Sequence, residues 1–281
     1  MTDRYAVIGN PVAHSKSPLI HAAFARQTGE AIEYGTLLAP PRGFAQAAAD
    51  FRAGGGKGLN VTVPFKFDAL AFAEELTARA RSAGAVNTLN FSDGNVLGDN
   101  TDGIGLIRDI RDNLRCRIAG CRVLLMGAGG AAHGVAQPLA AERPAALMIA
   151  NRTAVRAETL AGELRAGMLE SETVITGGGY DTLAGKFDIV INATAASLDG
   201  DVPPLPTHVF ASRALAYDMM YGSEPTPFLR FAAQRGVDRL ADGVGMLVEQ
   251  AAESFFVWRG VRPETAPVIA MLKGARMKAE G

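Results

Sequence analysis

Cysteine is scarce in this chain of 281 residues: there are two, Cys116 and Cys121. Their spacing fits neither a zinc site nor a thioredoxin-like redox motif. Two thiols cannot staple a chain this long, so a disulfide-built scaffold is excluded and a reducing compartment, the cytoplasm, is expected. Cys121 reads as apolar filler at a strand start. An excess of one charge is lacking as well. Lys and Arg number 28 against 29 Asp and Glu, a formal net charge of −1. That balance speaks against nucleic acid or a polybasic membrane contact, and leaves room for a small anionic substrate held by local groups. No apolar run nears the roughly 20 residues of a membrane span. The first residues, Met-Thr-Asp-Arg-Tyr, carry an acid and no apolar segment, so no signal peptide is expected. His21, His133 and His208 share no ligand spacing, so no metal is expected.

What is present is core-forming material: 48% of the residues are apolar, enough for one large or two ordinary domains. Strands are expected at Tyr5–Ile8, Ile32–Leu38 and Leu59–Val63, with helices at Pro18–Gln27, Phe44–Phe51 and Glu74–Ala83. Gly54–Gly58 reads as a loop. Ala85–Phe91 and Asn95–Gly98 read as a hairpin around Ser92-Asp93-Gly94. Strand alternating with helix predicts a mostly parallel sheet. Thr101–Leu114 reads as a helix carrying the chain onward, and the polar stretch Arg115–Gly120 as a boundary. A second series follows: strand Cys121–Met126, a helix to about Ala141, strands at Ala146–Ala150, Thr173–Thr176, Ile189–Asn192 and Ala214–Asp218, and a helix at Pro225–Gln234. From Gly245 the chain is expected to be helical, with Leu247, Ala251, Phe255 and Trp258 on one apolar face.

The second series opens on a motif. Val123-Leu124-Leu125-Met126 leads into Gly127-Ala128-Gly129-Gly130-Ala131-Ala132, a G-x-G-x-x-A turn between strand and helix. Gly127 permits the tight turn, Gly129 lets backbone approach a pyrophosphate, and Ala132 lets helix and sheet pack closely. The pyrophosphate then meets free N–H groups at the positive end of the helix dipole. A lone glycine triplet is weak evidence; the strand before it and helix after it give it weight. After the next strand, an NAD site carries an acid for the ribose 2′-hydroxyl. Here stand Asn151-Arg152-Thr153, with Arg156 close behind. Nothing there repels a 2′-phosphate, two arginines can pair with it, and Thr153 can donate to it, so NADP is the expected cofactor.

Four clusters lie outside that motif: His14-Ser15-Lys16-Ser17-Pro18, Asn60-Val61-Thr62-Val63-Pro64-Phe65-Lys66, Gly84-Ala85-Val86-Asn87-Thr88 and Gly98-Asp99-Asn100-Thr101-Asp102-Gly103. Each sets small polar groups beside a strand end or helix start, where ligand-orienting groups sit in α/β folds. They suit a polyhydroxylated, anionic small molecule. A lone lysine such as Lys66 is ordinarily a solvated one; its place after a strand, a Thr and a Pro is what singles it out. Asp102 also suits the first turn of its helix. His14 is expected to order the Ser15 loop.

With these motifs in order, and with Ile8-Gly9-Asn10-Pro11, Asn192-Ala193-Thr194, Asp218-Met219-Met220-Tyr221 and Gly243-Val244-Gly245-Met246-Leu247-Val248-Glu249-Gln250, the chain resembles the shikimate dehydrogenase family nearly end to end. The resemblance implies two α/β domains. One is an N-terminal, mostly parallel substrate domain of residues 1–103 plus 245–281. The other is a Rossmann-type doubly wound NADP-binding domain of residues 104–244. The C-terminal helix would return to the first, placing the active site in a cleft between them. It further implies that Ser15 and Ser17 bind the substrate carboxylate, and that Thr62, Asn87, Asp102, Tyr221 and Gln250 contact the ring hydroxyls and carboxylate. Lys66 would transfer the proton, with Asp102 beside it. Gly127, Ala128, Gly129, Gly130 and Ala131 would hold NADP together with Asn151, Arg152, Thr153 and Arg156, while Met219 and Gly243 line the nicotinamide side. The implied activity is NADPH-dependent reduction of 3-dehydroshikimate to shikimate, by a monomer or homodimer. A quinate or aminoshikimate dehydrogenase of the same fold, or a silent NADP-binding module, are the alternatives. The chain departs from the family's usual residues at Phe67, His133, Ala195 and Ala196.

Overall fold

The computed structural model describes residues 2–91, 94–168, 172–194 and 203–277. Within it the chain forms two compact units, one of Met1–Gly105 with Leu247–Ala275, the other of Leu106–Met246.

The first unit runs β1 (Asp3–Gly9), α1 (Ser17–Thr28), β2 (Ile32–Leu38), α2 (Phe44–Ala53), β3 (Gly56–Val61), α3 (Lys66–Phe72), β4 (Glu75–Leu76), α4 (Ala78–Ala83), β5 (Thr88–Asn90) and β6 (Leu97–Asp99). Its sheet has the order β2-β1-β3-β5-β6-β4. β1 pairs in parallel with both β2 and β3, and β5 pairs antiparallel with β3 and β6. Ile8, Leu59, Val61, Phe65 and Leu89 make the centre of its core.

Helix α5 (Asp102–Arg108) carries the chain out and passes into a single wide π turn at Asp109–Asn113. The second unit then runs β7 (Arg122–Met126), α6 (Gly130–Ala141), β8 (Ala146–Ala150), α7 (Ala154–Gly167), β9 (Val174–Gly178), β10 (Phe187–Asn192), β11 (Phe210–Asp218), α8 (Pro227–Ala233) and β12 (Arg239–Asp242). All pairings here are parallel, in the order β9-β8-β7-β10-β11-β12. Counted within the unit this is 3-2-1-4-5-6, the doubly wound dinucleotide-binding arrangement, with its switch point between β7 and β10. Both faces of β7 and β10 are covered. Val123, Leu125, Ile189 and Ile191 enter one core, and Leu124, Met126 and Val190 the other. Two-faced burial explains why these strands read as unbroken apolar runs. α9 (Val244–Arg259) then enters the first unit, followed by α10 (Ala266–Met277).

Several expectations are corrected. β3 is Gly56–Val61, although Gly54–Gly58 reads as a loop. Gly58 is glycine because a Cβ there would lie 2.4 Å from Trp258 Nε1 and 2.7 Å from the Leu89 carbonyl. Close approach, not turn formation, sets that residue. Glu74–Ala83 is not one helix: Glu75–Leu76 pairs with β6, and the Thr77 hydroxyl, accepting from Ala80 N–H, starts a shorter helix. The helix after Lys66 and the edge strand β12 carry no strong periodicity in sequence. The C-terminal segment is two helices rather than one. Ser92 and Asp93, at the expected hairpin turn, lie outside the described residues; β5 and β6 are antiparallel neighbours as a hairpin requires.

Candidate active site

In the first unit the polar clusters meet at one end of the sheet. Lys66 opens α3, and its Nζ donates to Asp102 Oδ2 at 2.5 Å. The Lys66 side chain is 21% exposed and that of Asp102 10%, so solvent reaches the pair only partly. Asp102 is held from its other oxygen by Asn87 Nδ2 at 2.9 Å, and its backbone N–H donates to Asn100 Oδ1. The Asn87 amide has one possible orientation. Its Oδ1 accepts from Thr101 N–H at 2.8 Å and from Thr88 Oγ1 at 2.9 Å, which turns its NH₂ toward Asp102 and Gln250 Oε1. Behind it, Asn60 Nδ2, Thr88 and Thr101 all meet the Ser254 hydroxyl. The carboxylate that pairs with Lys66 is therefore fixed by a buried, mutually satisfied network.

Ser15 and Ser17 form a second group at the start of α1. Ser15 Oγ donates to Ser17 Oγ at 3.2 Å and accepts from Ser17 N–H. Ser17 is buried beside Tyr34, whose hydroxyl donates to Asn60 Oδ1 at 2.7 Å. This sets the serine pair next to the Asn60 network. His14 is exposed and forms none of these bonds; the loop is held by Ser15 N–H on the Val12 carbonyl. The expected ordering role of His14 is corrected accordingly. Thr62 stands at the end of β3, its N–H on the Ile8 carbonyl and its methyl against Gly9.

In the second unit, backbone dominates. Gly127 has φ +109°, and a Cβ on it would lie 3.2 Å from the Ala193 carbonyl, so the fold itself demands glycine. Gly129 differs. Its φ of −99° suits any residue, and a Cβ there would meet nothing within 4 Å. Neither chain conformation nor packing requires glycine at Gly129, whereas a phosphate lying on the N–H groups of α6 does. Ala132 is buried against the sheet, Ala128 nearly so, and Gly130 and Ala131 form the first turn. Asn151 follows β8, its Nδ2 on the Thr153 carbonyl. Arg152, Thr153 and Arg156 are exposed around the start of α7, and neither arginine forms an ion pair among the described residues. Arg152 lies near the Tyr180 hydroxyl, which burial pushes up to about 12. Beyond β11, Met219 and Gly243 are in contact: a Cβ on Gly243 would lie 2.1 Å from the Met219 carbonyl oxygen, and Gly243 N–H donates to the Met220 carbonyl. Tyr221 follows, half-buried. Ala195 and Ala196 lie outside the described residues.

The residues of the phosphate turn and the Arg-bearing end of β8 thus fit a dinucleotide with a 2′-phosphate, and the first unit offers a lysine able to pass a proton. Those are the parts of a nicotinamide-dependent oxidoreductase. No group of three or more His, Cys, Asp or Glu that could hold a metal occurs among the described residues, and no helix among them is long and apolar enough to cross a membrane.

Comparison with known proteins agrees with that class. Residues 7–89 match the family described as shikimate dehydrogenase substrate binding domain, residues 110–199 that of shikimate/quinate 5-dehydrogenase, and residues 243–273 the shikimate 5'-dehydrogenase C-terminal domain. The shikimate dehydrogenase (NADP(+)) of Methylobacillus flagellatus is 59% identical over 97% of this chain and 100% of that one. An Ael1 enzyme from Pseudomonas putida superposes with a TM-score of 0.89 at 49% identity, covering 96% of this chain and 98% of that one. Shikimate 5-dehydrogenase from Thermus thermophilus, solved with NADP(H) and shikimate, gives a TM-score of 0.83 at 30% identity, covering 99% and 100%. The chain belongs to the shikimate dehydrogenase family.

Asn60, Thr101, Ser254 and Tyr34 are site-supporting residues that motif reading passes over. Asn60 and Thr101 stand inside quoted motifs and could have been found there. Ser254 and Tyr34 carry no local signal.

Proposed function

We propose that this chain is an NADP-dependent shikimate dehydrogenase that reversibly reduces 3-dehydroshikimate to shikimate. In this reading residues 1–103 with 245–281 hold the substrate and residues 104–244 hold NADP. The observation that carries it is the Lys66–Asp102 pair at 2.5 Å, with Asn87 Nδ2 on the other carboxylate oxygen. NADPH supplies the hydride that reaches the carbonyl carbon. Lys66 gives its Nζ proton to the carbonyl oxygen as negative charge develops there, and takes one back from the hydroxyl in the reverse direction. Asp102 holds the ammonium in place and accepts from a substrate hydroxyl, with Asn87 and Gln250 positioned to bond neighbouring hydroxyls. Thr62 and Tyr221 contact the ring hydroxyls and carboxylate. Ser15 and Ser17 bind the carboxylate as neutral donors. The N–H groups of residues 127–131 hold the pyrophosphate. Asn151, Arg152, Thr153 and Arg156 hold the ribose 2′-phosphate. Met219 and Gly243 border the nicotinamide.

Two free thiols, Cys116 and Cys121, suit a reducing compartment, and we place the enzyme in the cytoplasm, as a monomer or homodimer. The test is initial-rate turnover of shikimate with NADP, beside quinate and beside NAD. The expected result is the highest kcat/KM with shikimate and NADP. Higher kcat/KM with quinate would move the substrate assignment, and NADP binding without turnover of either would reduce the protein to a binding module.

A further inference from the structure

The second unit buries a carboxylate that the proposed chemistry does not use. Asp109 is 3% exposed and stands in the π turn that ends α5. It accepts from the Tyr217 hydroxyl at 2.7 Å and from Asn113 Nδ2 at 3.0 Å. Tyr217 is fully buried, and burial first, then the Asp109 charge, hold its hydroxyl well above the ordinary tyrosine range, so it stays a donor. The backbone of Met246 lies beside the same hydroxyl. Gly245 lies under the carboxylate: a Cβ there would fall 1.9 Å from Asp109 Oδ1.

These contacts have one common result. They fasten the segment of residues 243–246 against the end of β11. The next residues on β11's side are Asp218 and Met219, and Met219's carbonyl is the atom against which Gly243 packs. Asp218 is fixed in turn by Asn192 Nδ2 and Thr226 Oγ1 and accepts from Met220 N–H. Two backbone segments, 218–220 and 243–246, are thereby locked at the carboxyl ends of β11 and β12, where the doubly wound fold presents its ligand. A π turn inserts one extra residue and re-aims its side chain, a device that recurs at functional sites.

We propose that Asp109 and Tyr217 are positioning residues for hydride transfer: they set the backbone of Met219 and Gly243, and so the seat of the nicotinamide ring. The inference rests on the proposed NADP-dependent reaction. Hydride transfer is sensitive to placement of the reacting carbons on the scale of an ångström. Removing the Tyr217 hydroxyl leaves the ring's packing intact and frees the 243–246 segment.

The experiment uses the full chain with Tyr217→Phe, and Asp109→Asn as a second variant whose amide oxygen still accepts from Tyr217. In Tyr217→Phe, kcat is expected to fall about ten- to hundredfold. The KM for shikimate should stay within about twofold, because no hydroxyl contact in the first unit is touched. The primary isotope effect with deuterated shikimate should rise as hydride transfer becomes rate-limiting. Asp109→Asn, which keeps an acceptor for Tyr217, should lose less. Unchanged kcat and isotope effect in a folded Tyr217→Phe protein overturn the proposal, as does a loss in kcat that only follows the folded fraction. If Tyr217→Phe does not fold, the same readouts on Asp109→Asn decide it: an intermediate loss supports the proposal and an unchanged kcat and isotope effect overturn it. A wild-type protein that binds NADPH but turns over no shikimate sinks the functional reading alone. The clamp is then read from the NADPH dissociation constant, expected to rise about fivefold in Tyr217→Phe, one hydrogen bond's worth; no rise overturns it.

Discussion

In the first unit Lys66 is held by side chains that hold one another, whereas in the second unit the turn at residues 127–130, proposed to hold the pyrophosphate, offers bare backbone. The Asn87–Gln250 contact joins residues 163 apart in sequence, and Asn60–Ser254 joins residues 194 apart. The phosphate turn needs only a strand, two glycines and the first turn of α6, all contiguous. A site made of backbone writes its constraint into consecutive residues. A site made of side chains distributes it over the whole chain. The two should therefore respond differently to substitution: the first by loss of chemistry, the second by loss of affinity.

The largest expected effect tests the chemical half. Lys66→Ala should lower kcat by about 10²–10⁴, the worth of a positioned acid–base group, with little change in either KM. Asp102→Asn should depress kcat too, since its carboxylate holds the ammonium and, in the proposed reaction, accepts from a substrate hydroxyl. The check is kcat and KM against pH for shikimate and NADP. A Lys66→Ala enzyme with near-normal kcat would break the distinction between the units at its root.

One step smaller, Arg152→Ala tests the affinity half. In the proposed function Arg152 adds a side-chain contact to a backbone site. Removing one charge-assisted bond costs about 1.5–3 kcal/mol, roughly ten- to hundredfold in the KM for NADP. The KM for NAD and the kcat should hold. If both cofactors weaken alike, the arginine supports the fold of α7 instead of reading the 2′-phosphate.

The same contrast governs what could be read from sequence. The doubly wound unit was legible in outline, because β7, β8 and β10 are continuous apolar runs and because Gly127 and the residues after it obey a local rule. The candidate site of the first unit was legible only through resemblance: nothing in the spacing of Lys66, Asn87, Asp102 and Gln250 says that they meet. β3 was misplaced because Gly56 and Gly58 look like a turn, and only Phe51 and Trp258, packed over them, show why they are glycine. β12 was missed since Arg239–Asp242 is a short edge strand with polar ends. Asp109 and Tyr217 were invisible for the reason that hides Ser254: their partners are distant in the chain.

A third test separates the units by acid. His21 is fully buried in the first unit, stacked on Tyr34 at 4.1 Å and beside Phe24, Phe255 and Trp258. Asn60 lies beside the ring, but neither ring nitrogen completes a hydrogen bond. Burial lowers its pKa from the ordinary 6.5 to about 3. Between those values the unfolded chain binds a proton that the folded one refuses, so stability falls as pH drops from 6.5 toward 3. The slope for one such group is about 1.4 kcal/mol per pH unit. Acid should therefore loosen the first unit ahead of the second. The chain's single tryptophan, Trp258, reports on that unit, and its fluorescence during urea unfolding at pH 6.5 and 4.5 measures the slope. In His21→Phe the slope should flatten by about that one-proton amount; an unchanged slope would place the acid sensitivity elsewhere.

The smallest expected effect concerns the serines, and it asks whether the two are equivalent. Both are neutral donors, which orient an anion without the strong pull of an arginine. Their surroundings differ. Ser17 is 6% exposed and set beside Tyr34, whereas Ser15 is half-exposed and turns its proton toward Ser17. To bind a carboxylate, Ser15 need only rotate its hydroxyl, but Ser17 is packed into the core and has less freedom to reach it. Ser15→Ala should then raise the KM for shikimate by about fivefold, the worth of one neutral hydrogen bond, and leave the melting temperature nearly untouched. Ser17→Ala should raise that KM less, and should also lower the melting temperature, because the Ser15 hydroxyl loses its acceptor and a buried position loses packing. Neither should alter NADP affinity, since both lie in the side-chain-built unit. Steady-state kinetics with both substrates varied, beside thermal melts, reads all three quantities. If the two variants lose equal amounts in KM and none in melting temperature, the burial of Ser17 sets no difference between them, and the serine pair acts as one loop. A matching rise in the KM for NADP would remove the pair from the substrate side altogether.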